Sequence, residues 1–99
     1  MKLIINIPAY NEEKVVGATI KKIRESFNDS FYSSKGAALT EKLIQVVDDG
    51  STDTTAQVCK DAGADIVISY RPNRRLAYSF KQAVENSLRE GADIMVNID

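Results

Sequence analysis

Four short apolar runs alternate with three amphipathic stretches along this chain. Leu3-Ile4-Ile5-Asn6-Ile7, closed by Pro8, reads as a buried strand. From Glu12 to Phe27 the period changes. Val16, Ile20, Ile23 and Phe27 recur at helical spacing, with Lys and Glu on the opposite face. Asn28 to Thr40 is polar, rich in small residues and aperiodic, which predicts a surface loop. Leu43 to Val47 predicts a second strand, followed by Asp48-Asp49-Gly50. Ser51 or Thr52 offers an N-cap oxygen to a helix running to Ala62, with Gly63 just past its end. Asp65 to Ser69 predicts a third strand, and Tyr70 to Arg74 a loop containing Pro72. Leu76, Phe80, Ala83, Val84 and Leu88 mark a third amphipathic helix, ended by Gly91, and Ile94 to Ile98 a fourth strand. The order β-α-β-α-β-α-β predicts one α/β domain over residues 1–99. Its expected form is a Rossmann-like, three-layer α/β/α arrangement around a parallel sheet.

Composition changes this picture mainly by exclusion. Thirteen Lys and Arg against fourteen Asp and Glu leave a net charge of −1, so no nucleic-acid partner is expected. No apolar run approaches the roughly 20 residues that cross a bilayer. The opening MKLIINIPAY runs straight into a strand pattern with no signal-peptide features, which predicts a cytoplasmic location. The single Cys59 can form neither an internal disulfide nor a zinc site, and reads as a small core hydrophobe. There is no His, which excludes Ser–His–Asp and Cys–His catalysis and His-ligated metal within the chain. Carboxylates, hydroxyls, Arg, Lys and backbone remain.

In a parallel sheet every strand C-terminus opens on one edge, and ligands bind there. Four segments fall on that edge: Pro8-Ala9-Tyr10-Asn11-Glu12, Asp48-Asp49-Gly50-Ser51, Arg71-Pro72-Asn73-Arg74-Arg75, and Asp99. Taken singly, each reads as well as an ordinary turn. Taken together they predict a binding edge. Asp49 can accept from the N–H edge of a planar base, and Tyr10 offers a ring face. Glu12 suits either a helix first turn or a ligand. Asp99 is a hard oxygen ligand suited to Mg²⁺ or Mn²⁺. Arg71, Arg74 and Arg75 serve either phosphate binding or a solvated basic loop. No G-x-G-x-x-G and no G-x-x-x-x-G-K-[ST] is present, which argues against a dinucleotide oxidoreductase and a P-loop NTPase. A receiver domain would carry its acidic pair after the first strand, not the second.

Pro8-Ala9-Tyr10-Asn11-Glu12-Glu13, Val46-Val47-Asp48-Asp49-Gly50-Ser51-Thr52-Asp53 and Asn97-Ile98-Asp99, in this order and spacing, resemble the glycosyltransferases of family 2, which have the GT-A fold. The nearest resemblance is to the dolichyl- or polyprenyl-phosphate mannosyl- and glucosyltransferase-like branch. It covers the nucleotide-binding half of that family's catalytic domain. The resemblance implies a nucleotide-sugar site at Pro8, Ala9, Tyr10, Asn11, Glu12, Val47, Asp49 and Asp99. Asp99 is then the first Asp of a metal-binding D-x-D for Mg²⁺ or Mn²⁺. It also implies metal-assisted transfer of a sugar from a nucleoside-diphosphate sugar to an acceptor such as a lipid phosphate or glycan, at the cytoplasmic face of a membrane. The acceptor site and catalytic base lie further on in the family, so no catalytic residue is expected in these 99 and the chain alone is expected to be inactive. The stretch Asn73 to Ala77 lacks the family's Gly-rich run, so no contact is carried over from it. The alternative reading is a non-catalytic nucleotide- or metabolite-binding α/β module. Self-association through uncovered sheet and helix faces is expected under either.

Overall fold

The computed structural model describes residues 1–26 and 41–98. They form β1 (Lys2–Ala9), α1 (Val16–Ser26), β2 (Glu41–Asp49), α2 (Thr55–Asp61), β3 (Ile66–Tyr70), α3 (Arg75–Arg89) and β4 (Ile94–Asn97). All three strand pairings are parallel, in the order β3-β2-β1-β4. The expected α/β architecture is the one observed. From β1 the chain steps outward to β2 and β3, then returns to place β4 on the other side of β1. A parallel sheet has its ligand crevice where the order reverses in this way.

Strand alternation sorts the two faces. Leu3, Ile5, Ile7 and Ala9 of β1 join Ile44 and Val46 of β2 under Val16, Ile20 and Ile23 of α1 and Cys59 of α2. Burying a side chain of the Ile or Val class contributes about 1.5–3 kcal/mol, so this face holds most of the core. Cys59 is fully buried, and that burial pushes its thiol up to about 11. The opposite face carries Asn6 and Gln45, both buried, and is covered by α3. Here two amides sit among the buried aliphatic side chains Ile4 and Val47. Gln45 Nε2 donates to Asn6 Oδ1 (3.0 Å), Asn86 Nδ2 to Gln45 Oε1 (2.7 Å), and Asn6 Nδ2 to Asn97 Oδ1 (2.8 Å).

That polar seam explains the main departure from the periodicity. The bulky members of the apolar stripe of α3 do not face the sheet: Leu76 is 63% exposed, Phe80 47% and Leu88 71%. Of the predicted stripe only Ala83 is fully buried, between Ser79 and Ser87. Small side chains let α3 approach Gln45, whose Nε2 reaches the Ala83 carbonyl at 3.3 Å and Ser87 Oγ at 3.4 Å. Two helix starts also differ. α1 begins at Val16 rather than Glu12, because residues 12–15 form a turn in which the N–H groups of Val15 and Val16 both donate to the Glu12 carbonyl. α2 begins at Thr55, after Ser51 and Thr52 are engaged elsewhere, as described below. Both predicted glycine stops hold, with φ of 96° at Gly63 and 76° at Gly91. Phe27, the predicted loop from 28 to 40 and Asp99 lie outside the described residues.

Candidate functional site

The C-terminal ends of β1 and β2 are held together by a side-chain-to-backbone zipper. Asn11 N–H donates to Ser51 Oγ (2.8 Å), and Thr52 N–H returns a bond to Asn11 Oδ1 (2.8 Å). Glu12 N–H donates to Thr55 Oγ1 (2.9 Å), and Thr54 N–H to a Glu13 carboxylate oxygen (2.9 Å). Asp53 accepts from both the N–H and the hydroxyl of Thr55. Asn11 takes a left-handed φ of 49°, a conformation that Asn tolerates better than most residues. Ser51 and Thr52 are therefore partners of Asn11, not N-caps of α2; Thr54 holds the N-cap position without a side-chain cap bond.

On the α3 side of this zipper lies an open cleft of about 300 Å³, lined by Pro8, Ala9, Tyr10, Glu12, Asp49, Asn73, Arg75, Leu76 and Ser79. Pro8 sits past the last described β1–β4 pair, Asn6 with Asn97, so its missing N–H removes no described ladder bond there. Tyr10, 46% exposed, lines the cleft, and Glu12 stands beside it with Oε1 accepting from Tyr10 N–H (3.2 Å). Asp49, 6% exposed, is the deep carboxylate. Its neighbour Asp48 is structural, accepting from Ser51 N–H (3.2 Å) and Ser69 Oγ (3.1 Å).

The loop before α3 closes the cleft over Asp49. Asn73 Nδ2 donates to the Asp49 main-chain carbonyl (2.9 Å) and to Asp49 Oδ2 (3.0 Å), and Arg74 N–H donates to Oδ1 (2.7 Å). Asn73 Oδ1 accepts from the N–H of Arg75, which has a φ of 72° (3.1 Å). The loop rests directly on Gly50, φ 75°, where an added Cβ would stand 2.3 Å from Asn73 N. Arg74 lies over the Tyr78 ring, 5.4 Å from its centroid, and Tyr78 meets Tyr70 edge to face at 5.0 Å. The buried Tyr70 hydroxyl lies beside Asp49 and Ser79 but closes no well-formed hydrogen bond with either. Burial first, then the Asp49 carboxylate, pushes its pKa up.

The structure thus brings together Pro8, Ala9, Tyr10, Glu12 and Asp49 of the expected set. It places Asn11 in the zipper instead, and Val47 beneath the cleft, fully buried one pleat repeat before Asp49. Asn73 and Arg75 come from the segment expected on this edge, whereas Leu76 and Ser79 of α3 were not expected in its wall. The turn dipeptide Pro72-Asn73 before a helical pattern was the signal available for Asn73. Among the described residues no group of three His, Cys, Asp or Glu could hold a metal ion. Asp49 is already engaged by the loop and Glu12 by Tyr10 N–H, so these residues do not build a cation cradle. No helix of the described residues is long and apolar enough to cross a membrane.

The sequence model of glycosyl transferase family 2 matches residues 4–99. A protein of Methanocaldococcus jannaschii, named only as uncharacterized protein MJ1222, is 30% identical over 98 residues. That match takes in 99% of this chain and 35% of the relative, so the chain spans about a third of that relative's length.

Proposed function

Because this chain belongs to glycosyl transferase family 2, we propose that its cleft takes the nucleoside-diphosphate part of a sugar donor, as the donor-binding portion of a glycosyltransferase. The observation that carries the reading is that one cleft is lined by both the buried Asp49 and the exposed Tyr10. A planar base stacks on the ring and donates from its edge to the carboxylate. Arg75 and the N-terminal end of α3 on the same wall supply positive potential for a diphosphate.

The finer terms rest on the motifs alone. Pro8 to Glu13 and Asp48 to Asp53 support the dolichyl- or polyprenyl-phosphate branch, with a hexose as the transferred sugar and a lipid phosphate or glycan as acceptor, at the cytoplasmic face of a membrane. The expectation of Mg²⁺ or Mn²⁺ is carried by the motif position of Asp99 alone.

Calorimetric titration of the chain with UDP, GDP, CDP and ADP tests the proposal. Binding of at least one is expected, and Asp49→Ala should weaken it by about 1–3 kcal/mol, the scale of a lost hydrogen bond to a charged group. Equal affinity in the folded variant removes Asp49 from the site.

A further inference from the structure

We infer that Asn73 is a positioning residue that sets the base preference of the cleft by fixing the orientation of the Asp49 carboxylate. The inference rests on the nucleotide reading above and deepens it. Both N–H groups of the Asn73 amide are taken up by Asp49, one on its carbonyl at 2.9 Å and one on Oδ2 at 3.0 Å. Its Oδ1 accepts from Arg75 N–H at 3.1 Å. With no donor left over, Asn73 acts on a ligand through Asp49.

The second carboxylate oxygen is held as firmly. Asp49 Oδ1 accepts from Arg74 N–H at 2.7 Å, so the loop grips one oxygen by a side chain and the other by its backbone. An ionised carboxylate has about four lone-pair sites, which leaves each oxygen one more bond to accept. What the loop removes is rotation. The Asn73–Arg75 bond helps hold Arg75 in the left-handed region, which is unfavourable for a residue with a long side chain. The bare Gly50 main chain lets the loop sit close enough to make these contacts.

A fixed, acceptor-only group separates bases by chemistry. Uracil and guanine present a ring N–H at the pairing edge and match it. Cytosine and adenine present a ring-nitrogen lone pair at the same place, with their donor displaced onto an exocyclic amine. A carboxylate free to turn reaches that amine; a pinned one faces the lone pair. A site built to receive a donor rejects an analogue that lacks it because buried polar groups are then left unpaired.

The test is the ratio of affinities for UDP or GDP over CDP or ADP, measured by calorimetry on the chain. The native protein should favour a ring-N–H base. Asn73→Ala should reduce that preference about tenfold, which is 1.4 kcal/mol, chiefly by strengthening CDP or ADP relative to the others. Asn73→Asp keeps the shape but removes both donors, and should flatten the preference as well. Gly50→Ala pushes the loop off Asp49 without altering a polar side chain and should do the same, so it carries the test should Asn73→Ala fail to fold. A merely structural Asn73 would shift all four affinities together. A native preference that survives in the folded variants, or four equal native affinities, overturns the role of Asn73 and leaves the nucleotide reading standing. Binding of none of the four overturns both.

Discussion

At the scale of single residues, hydroxyls and carboxylates bind the two motif loops to each other more than they face outward. The hydroxyl and N–H of Thr54 hold the Glu13 carboxyl below its usual range, and the hydroxyl of Thr55 does so first for Asp53. A carboxylate whose pKa is lowered by folding adds stability that is present above its unfolded value, near 4, and is lost as the pH falls through the folded value. Glu13→Gln should therefore unfold at lower urea than the native chain at pH 7, with the gap closing below about pH 4. A gap that stays constant down to pH 3 would show that the charge of Glu13 is not what the zipper uses. This role was only half legible in the sequence. Asn11, Ser51 and Thr52 carry ordinary turn and cap chemistry, but which backbone N–H each would meet depends on two loops forty residues apart.

At the scale of elements, α3 separates hydrophobicity from burial. Its sheet-facing residues are small because a bulkier one would collide with the amide seam, and its large apolar residues Leu76, Phe80 and Leu88 are left outside. Ser87→Leu should destabilise the fold by about 1–3 kcal/mol through overpacking against Gln45. Leu88→Lys, one residue on, should change stability by less than about 0.5 kcal/mol. Chemical denaturation of the two variants side by side checks this, and the reverse order of costs would mean that α3 is rotated from its described position. Periodicity identified α3 as a helix but misassigned its inner face. The hydrophobic pattern reports where apolar residues lie around a helix, not what the opposing surface is made of. Asn6 and Gln45, polar residues inside two otherwise apolar runs, were the signals that this surface was an amide one.

For the molecule as a whole, α3 leaves Leu76, Phe80 and Leu88 exposed on one face, and β4, an edge strand of the described sheet, leaves Ile94 and Val96 exposed on the other. An open edge beside an apolar patch favours association. The chain should self-associate with rising concentration in light scattering, and Phe80→Glu combined with Leu88→Glu should shift it toward monomer. A species that stays monomeric at millimolar concentration would show that these faces are not sticky enough to pair. The sequence by itself determined the parallel α/β architecture, because three helical periods between four short apolar runs leave few other ways to bury both sheet faces. It also pointed to the edge on which the cleft lies and to Pro8, Ala9, Tyr10, Glu12 and Asp49 among the residues that line it, though not to the exclusion of Asn11 and Val47. The segment Arg71 to Arg75 was expected on that edge too, but only the tertiary structure decided how it closes on Asp49. Asn73 reaches Asp49 because β3 lies beside β2 and Gly50 leaves room for the loop to settle between them. That is a contact across 24 residues, made by the order of strands and a missing Cβ, and no local spacing encodes either.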